Sequence, residues 1–472
     1  MTFKIKFKTK FKFFISPIPL KAVILILSVA LAFITLFTLN NFKDNELQSY
    51  SDFKIVNGVL ESYYGLNENV IIPKGVKEIG ECAFEDCKTM TSITIPDSVK
   101  AIHENAFYRT NLKKIHIPKS VTYIAKNSFE SSDYVEIEVD SQNKKYSTKD
   151  GVLYNKDMTE LIRYYDKEDI YFYRIPDSVE KIGDFAFSDR KLQKIYVPAS
   201  INEIGDCAFL AYFGISTIDV DPENKNFVVK DNIMFTKDMT ELVWYSNQNT
   251  ADKYNIPNGV TTINAGAFRA CRSLINLTIA DTVKNIEDNA FAGMTHMENL
   301  TIPDNVSEIG ESVFLGCWNL KDVSVGKDNK YFTTQDGILF DKDMTEIIVC
   351  PTKNTITDYK IPAGIKKIRP YAFFNSINLE RVDIPQSVTE IGEGAFYNCY
   401  KLASINLPDK IDTIAESTFW GCGNIVKIVI PDRVTRIGDK AFSDCGLSEI
   451  ELSSRIKKIG KKAFENCINL KK

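Results

Sequence analysis

The chain has 472 residues, 44% hydrophobic and 25% charged, the proportions of an ordinary folded protein. Its net charge of −4 is unevenly spread: residues 1–21 hold six lysines and no acid, leaving 52 basic against 62 acidic side chains in the remainder, about −10. A mildly acidic body argues against a nucleic-acid partner, which needs clustered cations.

Residues 1–21 read as a basic cytoplasmic N-terminus. Residues 22–39, Ala22 to Leu39, carry no charge; as a helix they span about 27 Å, close to a bilayer core. With the lysines in front, the chain beyond residue 39 is expected outside the cell. Two readings stand: an uncleaved transmembrane anchor, or a signal h-region cut after Ala30-Leu31-Ala32. The protein is then either single-pass, with its membrane contact through 22–39, or secreted. Residues 40–49 are polar and read as a linker. FKIVNGVLESYY, from Phe53, reads as a cap on the repeats after it.

From residue 50 to 472 the chain repeats itself. Ile384 to Asn406 reads IPQSVTEIGEGAFYNCYKLASIN, and related units start at Ile72, Ile95, Ile117, Ile175, Val197, Ile256, Ile279, Ile302, Ile361, Leu407, Ile430 and Leu452. These thirteen copies lie 22 or 23 residues apart where contiguous, a period that signals a solenoid. At the junctions apolar residues alternate with polar ones, as Ile115 and Ile117 around His116, which reads as a short strand. Proline follows the first residue in eleven copies and ends the strand, since it has no N–H for a ladder. The glycine of copies such as Gly392 and Gly438 suits a bend before the Ala-Phe pair. One unit cannot bury its own apolar face, so equivalent strands are expected to stack in parallel, Phe over Phe and Ile over Ile.

The recurring IPxxVxxIGxxAFxxCxxL pattern resembles the BspA-like, or treponemal-type, leucine-rich repeat family. The resemblance implies a right-handed, β-rich leucine-rich repeat solenoid with a strand on its concave face, here preceded by the N-terminal transmembrane helix. It also implies a microbial surface or secreted protein with roles in adhesion and cell-surface contact.

Three insertions lengthen the spacing to 58 or 59 residues after Ile117, Val197 and Ile302. They share KDGVLYNKDMTELI from Lys149, KDNIMFTKDMTELV from Lys230 and QDGILFDKDMTEII from Gln335, each following an Asn-Lys pair at Asn143, Asn224 or Asn329. Apolar runs around a polar turn read as inserted β-hairpins with solvated KDMTE tips. Each insertion is also expected to give the main sheet a strand, such as Val135 to Val139 and Ile218 to Val220. About sixteen stacked turns at ~4.8 Å make an array roughly 75 Å long. The last unit stops before its closing strand, an open end suited to self-association.

The chemistry is sparse. Of the ten cysteines, Cys87, Cys271, Cys317, Cys399, Cys422, Cys445 and Cys467 share one position of the repeat, and Cys82 and Cys207 share another, so they read as free buried thiols. His103, His116 and His296 fall in different repeats. Asp219, Asp221 and Glu223 mimic the start of a calcium loop, but Asn224 stands where its glycine belongs and Lys230 where its glutamate belongs. No motif for catalysis, a metal or a cofactor emerges. The most informative surface is the outward strand position between the two core residues: Thr94, His116, Tyr196, Thr278, Thr301, Ser324, Asp383, Asn406, Val429 and Glu451. It varies in size and charge while the core columns stay uniform, which suits contact with another protein, extracellular matrix or a cell-surface ligand. The reading is an extracellular, adhesin-like recognition protein without catalysis; the alternative is a self-associating structural protein of the cell envelope.

Overall fold

The computed structural model describes residues 52–129, 135–165, 171–187, 192–210 and 214–470. The expected basic segment, apolar span and linker lie outside the described residues. Among the described residues no helix is long and apolar enough to cross a membrane.

Each repeat forms one coil of a solenoid. The junction residues make a main parallel sheet: Lys114–Ile117 pairs with Ser92–Thr94 on one side and Glu136–Val139 on the other. Ile115 and Ile117 point into the core, Lys114 and His116 outward. A second parallel ladder was not legible in the repeat. Dipeptides such as Glu390–Ile391 pair with Lys367–Ile368, strands too short to show alternation.

The Ala-Phe turns form a third ladder, of single hydrogen bonds. The Phe N–H of one coil donates to the Ala carbonyl of the next, at 2.8 Å from Phe84 to Ala106, Phe268 to Ala290 and Phe419 to Ala441. These turns hold residues at positive φ two before and two after the Phe, as Gly394 (54°) and Asn398 (59°) around Phe396. Gly392 and Gly438 are not among the positive-φ glycines, so the expected bend is not their role. A Cβ on either would sit 2.5 Å from a backbone nitrogen of the preceding coil, so these glycines permit close stacking.

Within the coils the Phe rings pile up, with centroids 5.4 Å apart for Phe84–Phe107, 5.0 Å for Phe373–Phe396 and 5.3 Å for Phe419–Phe442. Aromatic neighbours at this range add to the area they bury. All ten cysteines are free, and nine are buried. The thiols of Cys399, Cys422 and Cys445 donate to the carbonyls of Phe373, Phe396 and Phe419 at 3.0–3.1 Å. Burial pushes the Cys422 thiol far up its scale. The thiol column therefore ties one coil to the previous one.

The insertions are three-stranded antiparallel meanders. In the first, Tyr146–Lys149, Val152–Asn155 and Glu160–Arg163 pair in turn, and the last joins the second ladder beside Lys181–Ile182. The middle strand is buried on both faces: Val152 and Tyr154 pack in the core on its C-terminal side, Leu153 in the core on its N-terminal side. Ile233 and Phe235 against Met234, and Ile338 and Phe340 against Leu339, repeat the pattern. The expected hairpins are therefore partitions that divide the core. Their KDMTE tips do turn at the surface, with Met158, Met239 and Met344 at φ 54–62°. Glu136–Val139 and Thr217–Val220 join the main sheet as expected, but each is the last strand of its ladder, so the sheet is broken into segments.

The Asn of each insertion locks the partition to the coil before it. Asn329 is 2% exposed; its amide donates to Pro303 O (2.7 Å) and Val306 O (3.1 Å) and accepts from Tyr331 N and Phe332 N, both at 2.8 Å. Asn143 and Asn224 do the same.

The insertions also bend the solenoid. In an ordinary coil fourteen residues lead from the second-ladder Ile to the centre of the next main strand, Ile391 to Ile405; in the insertions twelve do, as Leu161 to Tyr173 and Ile347 to Tyr359. The shortened coil drops out on the turn side, where the coils around it meet directly. Cys207 N donates to Ala265 O at 3.3 Å, Arg369 donates to Ile309 O at 2.7 Å, and Lys126 pairs with Asp184. On the opposite side each insertion adds two strands, about 10 Å of extra width. Three such wedges curl the array until its ends touch. Lys440 pairs with Glu85, both side chains 7% exposed. Lys461 donates to Cys82 O at 2.7 Å, and Lys462 lies 3.3 Å from Asp86. The array of roughly 75 Å expected from strand spacing is thus closed into a curl, and its inside is the turn side rather than the strand face that the resemblance implied.

Asn329→Ala orphans two buried carbonyls and two N–H groups, so it should cost roughly 2–4 kcal/mol by urea denaturation, whereas the exposed Asn305→Ala should cost under about 1. Lys440→Ala leaves Glu85 buried without its partner. A loss of about 3 kcal/mol is expected, together with a larger radius of gyration by small-angle X-ray scattering; an unchanged radius would contradict the closed curl.

Candidate recognition surfaces

The outward strand column lies on the main sheet, divided among five ladders. Thr94 and His116 share the first, with Glu138 beside His116. Tyr196 stands in the second between Arg174 and Asp219. Thr278, Thr301 and Ser324 lie in the third, Asp383 and Asn406 along the fourth, and Val429 pairs with Glu451 in the fifth. Sequence reasoning left out Ile71, Glu138, Arg174, Asp219, Asn255 and Lys360, which the strand register places in this column; the insertions hide that register for Glu138 and Asp219.

The column's members are not equally available. The Arg174 guanidinium lies 4.2 Å above the Tyr196 ring, and the Tyr196 hydroxyl donates to Asp221 at 2.7 Å, so this ring is held by its neighbours. Asn406 works in the fold: its amide accepts from Ile384 N (2.8 Å) and donates to Ile384 O (2.7 Å), bonding at the edge where the ladder stops. Thr301 and Ser324 share a hydrogen bond at 2.9 Å. Thr94, His116, Asp383, Val429 and Glu451 stand exposed.

The residues weighed for chemistry are not assembled into a site. His103 meets Glu78 at 2.9 Å, His116 faces outward, and His296 contacts Thr295 at 3.2 Å. Asp219 pairs with Lys194 at 2.6 Å, while Asp221 accepts from Glu223 N at 2.9 Å. Among the described residues no three His, Cys, Asp or Glu gather as metal ligands.

The curl creates a second surface. In several coils the residue after the core Phe, among them Glu85, Tyr108, Phe374, Tyr397 and Trp420, lines a cavity of about 490 Å³ on the inside of the bend. Its wall is a chain of rings: Trp318 to Phe374 at 5.3 Å, Phe374 to Tyr397 at 5.3 Å and Tyr397 to Trp420 at 4.9 Å. Trp420 donates to Asp444 at 2.6 Å, and the Lys440 ammonium lies 5.2 Å from its ring centre. Three residues before the core Phe many coils carry an acid, and two of these, Glu393 and Glu416, stand in the cavity wall. Glu393 accepts from the Tyr371 hydroxyl at 2.5 Å. Burial, with the nearby charges of Glu393 and Asp439, raises Glu416 to about 7, against the opposing pull of Lys440. The aromatic run was visible as Phe-Tyr, Phe-Phe and Phe-Trp pairs in the repeats, but nothing in the period says that this side turns inward.

A coil with two parallel ladders, a Phe-centred turn and free stacked thiols defines a leucine-rich repeat solenoid. The chain belongs to the BspA type leucine rich repeat family, whose model matches residues 61–170, 161–250, 244–360 and 350–471. Members are generally non-catalytic binding proteins, and membership supports a role in repeat-based protein interaction. Among solved structures, the chain is similar to a leucine rich cell surface protein of Faecalibacterium prausnitzii, at 25% identity over 91% of this chain and 94% of that one, TM-score 0.46. It is also similar to the pneumococcal vaccine antigen PcpA, at 21% identity over 86% and 79%, TM-score 0.40. A leucine-rich repeat protein of Eubacterium ventriosum gives 20% identity over 83% and 89%, TM-score 0.36. Comparison with curated proteins gives no match.

A carboxyl raised to about 7 in the fold and near 4.5 when unfolded takes up a proton on folding between those values, so its contribution to stability falls as pH rises through that window. Glu416→Gln removes this dependence. It should stabilise the protein by roughly 3 kcal/mol at pH 8 and by almost nothing at pH 4, as read from urea midpoints at the two pH values.

Proposed function

We propose that this protein is an extracellular recognition solenoid, adhesin-like, that contacts another protein, matrix or cell surface through its main-sheet face, and that it carries out no catalysis. The observation that carries the reading is the contrast between the uniform interior columns and the exposed column of Thr94, His116, Asp383, Val429 and Glu451, which changes in size and charge from coil to coil. Such a rigid, varied face suits protein contact, since the core fixes the spacing while each outward residue is free to differ. The family's binding role supports the same reading.

The test replaces three exposed residues together: Asp383→Arg, Val429→Glu and Glu451→Arg. Each is a surface change worth within about 0.5 kcal/mol, so the melting curve should persist. Adhesion of protein-coated beads to cultured epithelial cells should fall at least tenfold. Unchanged adhesion by the folded triple variant would sink the face as the contact surface.

A further inference from the structure

The inner cavity has features that contact through the outer sheet does not use. At about 490 Å³ it falls in the size range of small-molecule pockets. Its rings form one connected wall, from Trp318 through Phe374 and Tyr397 to Trp420. Glu393 and Glu416 line the same wall, from coils next to each other.

The charges around Glu416 are unbalanced. Glu393, Asp439 and Glu85 all act on it, and Lys440 opposes them. Lys440 is already paired with Glu85. Glu416 and Asp439 also face Arg436, Lys458 and Lys461 across a neighbouring cavity, and Lys440 lies over one part of the Trp420 ring. On the aromatic wall itself the carboxylates of Glu393 and Glu416 are the charged groups beside Tyr397 that Lys440, held by Glu85, does not pair with. A metal ion does not suit this place, because among the described residues no three acids converge as ligands. A cation of diffuse charge with an apolar body does: its charge is stabilised by carboxylate and ring together, and its carbon skeleton covers the aromatic wall. Arg269 and Arg272 line another part of the cavity.

We propose that this cavity binds an organic ammonium ligand, with the charged nitrogen at Glu393 and Glu416 and the alkyl body along Tyr397 and Trp420. Seating a cation there favours the ionised form of Glu416. Binding therefore releases a proton near neutral pH, and affinity rises as pH rises past 7.

Hexylammonium is the probe, with hexan-1-ol and hexanoate as matched controls, on the full chain at pH 8. Two of the three tryptophans, Trp318 and Trp420, line the cavity, so their fluorescence reports occupancy. Hexylammonium should give a saturable change, at least tenfold weaker at pH 5.5 and at least tenfold weaker in Glu416→Gln, and calorimetry in two buffers should register the released proton. Trp420→Phe should keep binding, Trp420→Ala should lose it, and Asp383→Asn on the outer face should bind as wild type. Equal affinity for hexan-1-ol, tighter binding of hexanoate, unchanged binding by Glu416→Gln, or equal weakening by Asp383→Asn would each overturn the assignment. Glu416→Gln removes a destabilised charge and should fold, so the outcome does not depend on the tryptophan variants.

Discussion

Everything in this molecule depends on one coil bonding to the next along its turn side. There the Phe N–H reaches the Ala carbonyl of the following coil, the Cys thiol reaches the Phe carbonyl of the preceding one, and the Phe rings lie near 5 Å apart. The three contacts have the same period, so each holds the others in register. The main strands and the two-residue second ladder then close the remaining sides of the coil. This explains why small residues sit where backbones approach: a Cβ on Gly392 or Gly438 would enter the space of the coil before it.

Breaks in that regularity shape the molecule. Each insertion swaps an Ala-Phe turn for a buried meander, so the coil becomes thin on one side and thick on the other. The buried Asn clamps make the change rigid by committing the full capacity of one amide to each junction. Curvature is therefore set by covalent length and fixed hydrogen bonds, and the ionic contacts of Lys440, Lys461 and Lys462 with the first coil close what the wedges have brought together. Buried pairs of this kind are costly to break even when their net contribution is small.

The two surfaces arise from the same architecture in opposite ways. The sheet face is repeated, open and varied, a surface suited to a large partner. The turn face is gathered by the bend, so side chains from early, middle and late coils face one space. Desolvation there raises Glu416, which a straight solenoid would leave in water. Asn406 and Tyr196 are a warning against equating outward position with availability, since the first completes a strand edge and the second is pinned between Arg174 and Asp221.

The sequence by itself determined the repeating unit, the Ile, Phe and Cys columns, the free thiols and the strand at each junction, because these are local or next-neighbour properties written again every 22 or 23 residues. It also marked the insertions and their Asn, though it presented the meanders as surface hairpins; a strand buried on both faces lacks the alternation that betrays one face. Only the tertiary structure decided the second ladder, the direction of the bend, the meeting of Glu85 with Lys440 and the aromatic cavity. The second ladder joins neighbouring coils through two-residue strands too short to show alternation; the others arise where residues far apart in the chain approach, fixed by the summed angle of three wedges, a quantity that no single repeat encodes.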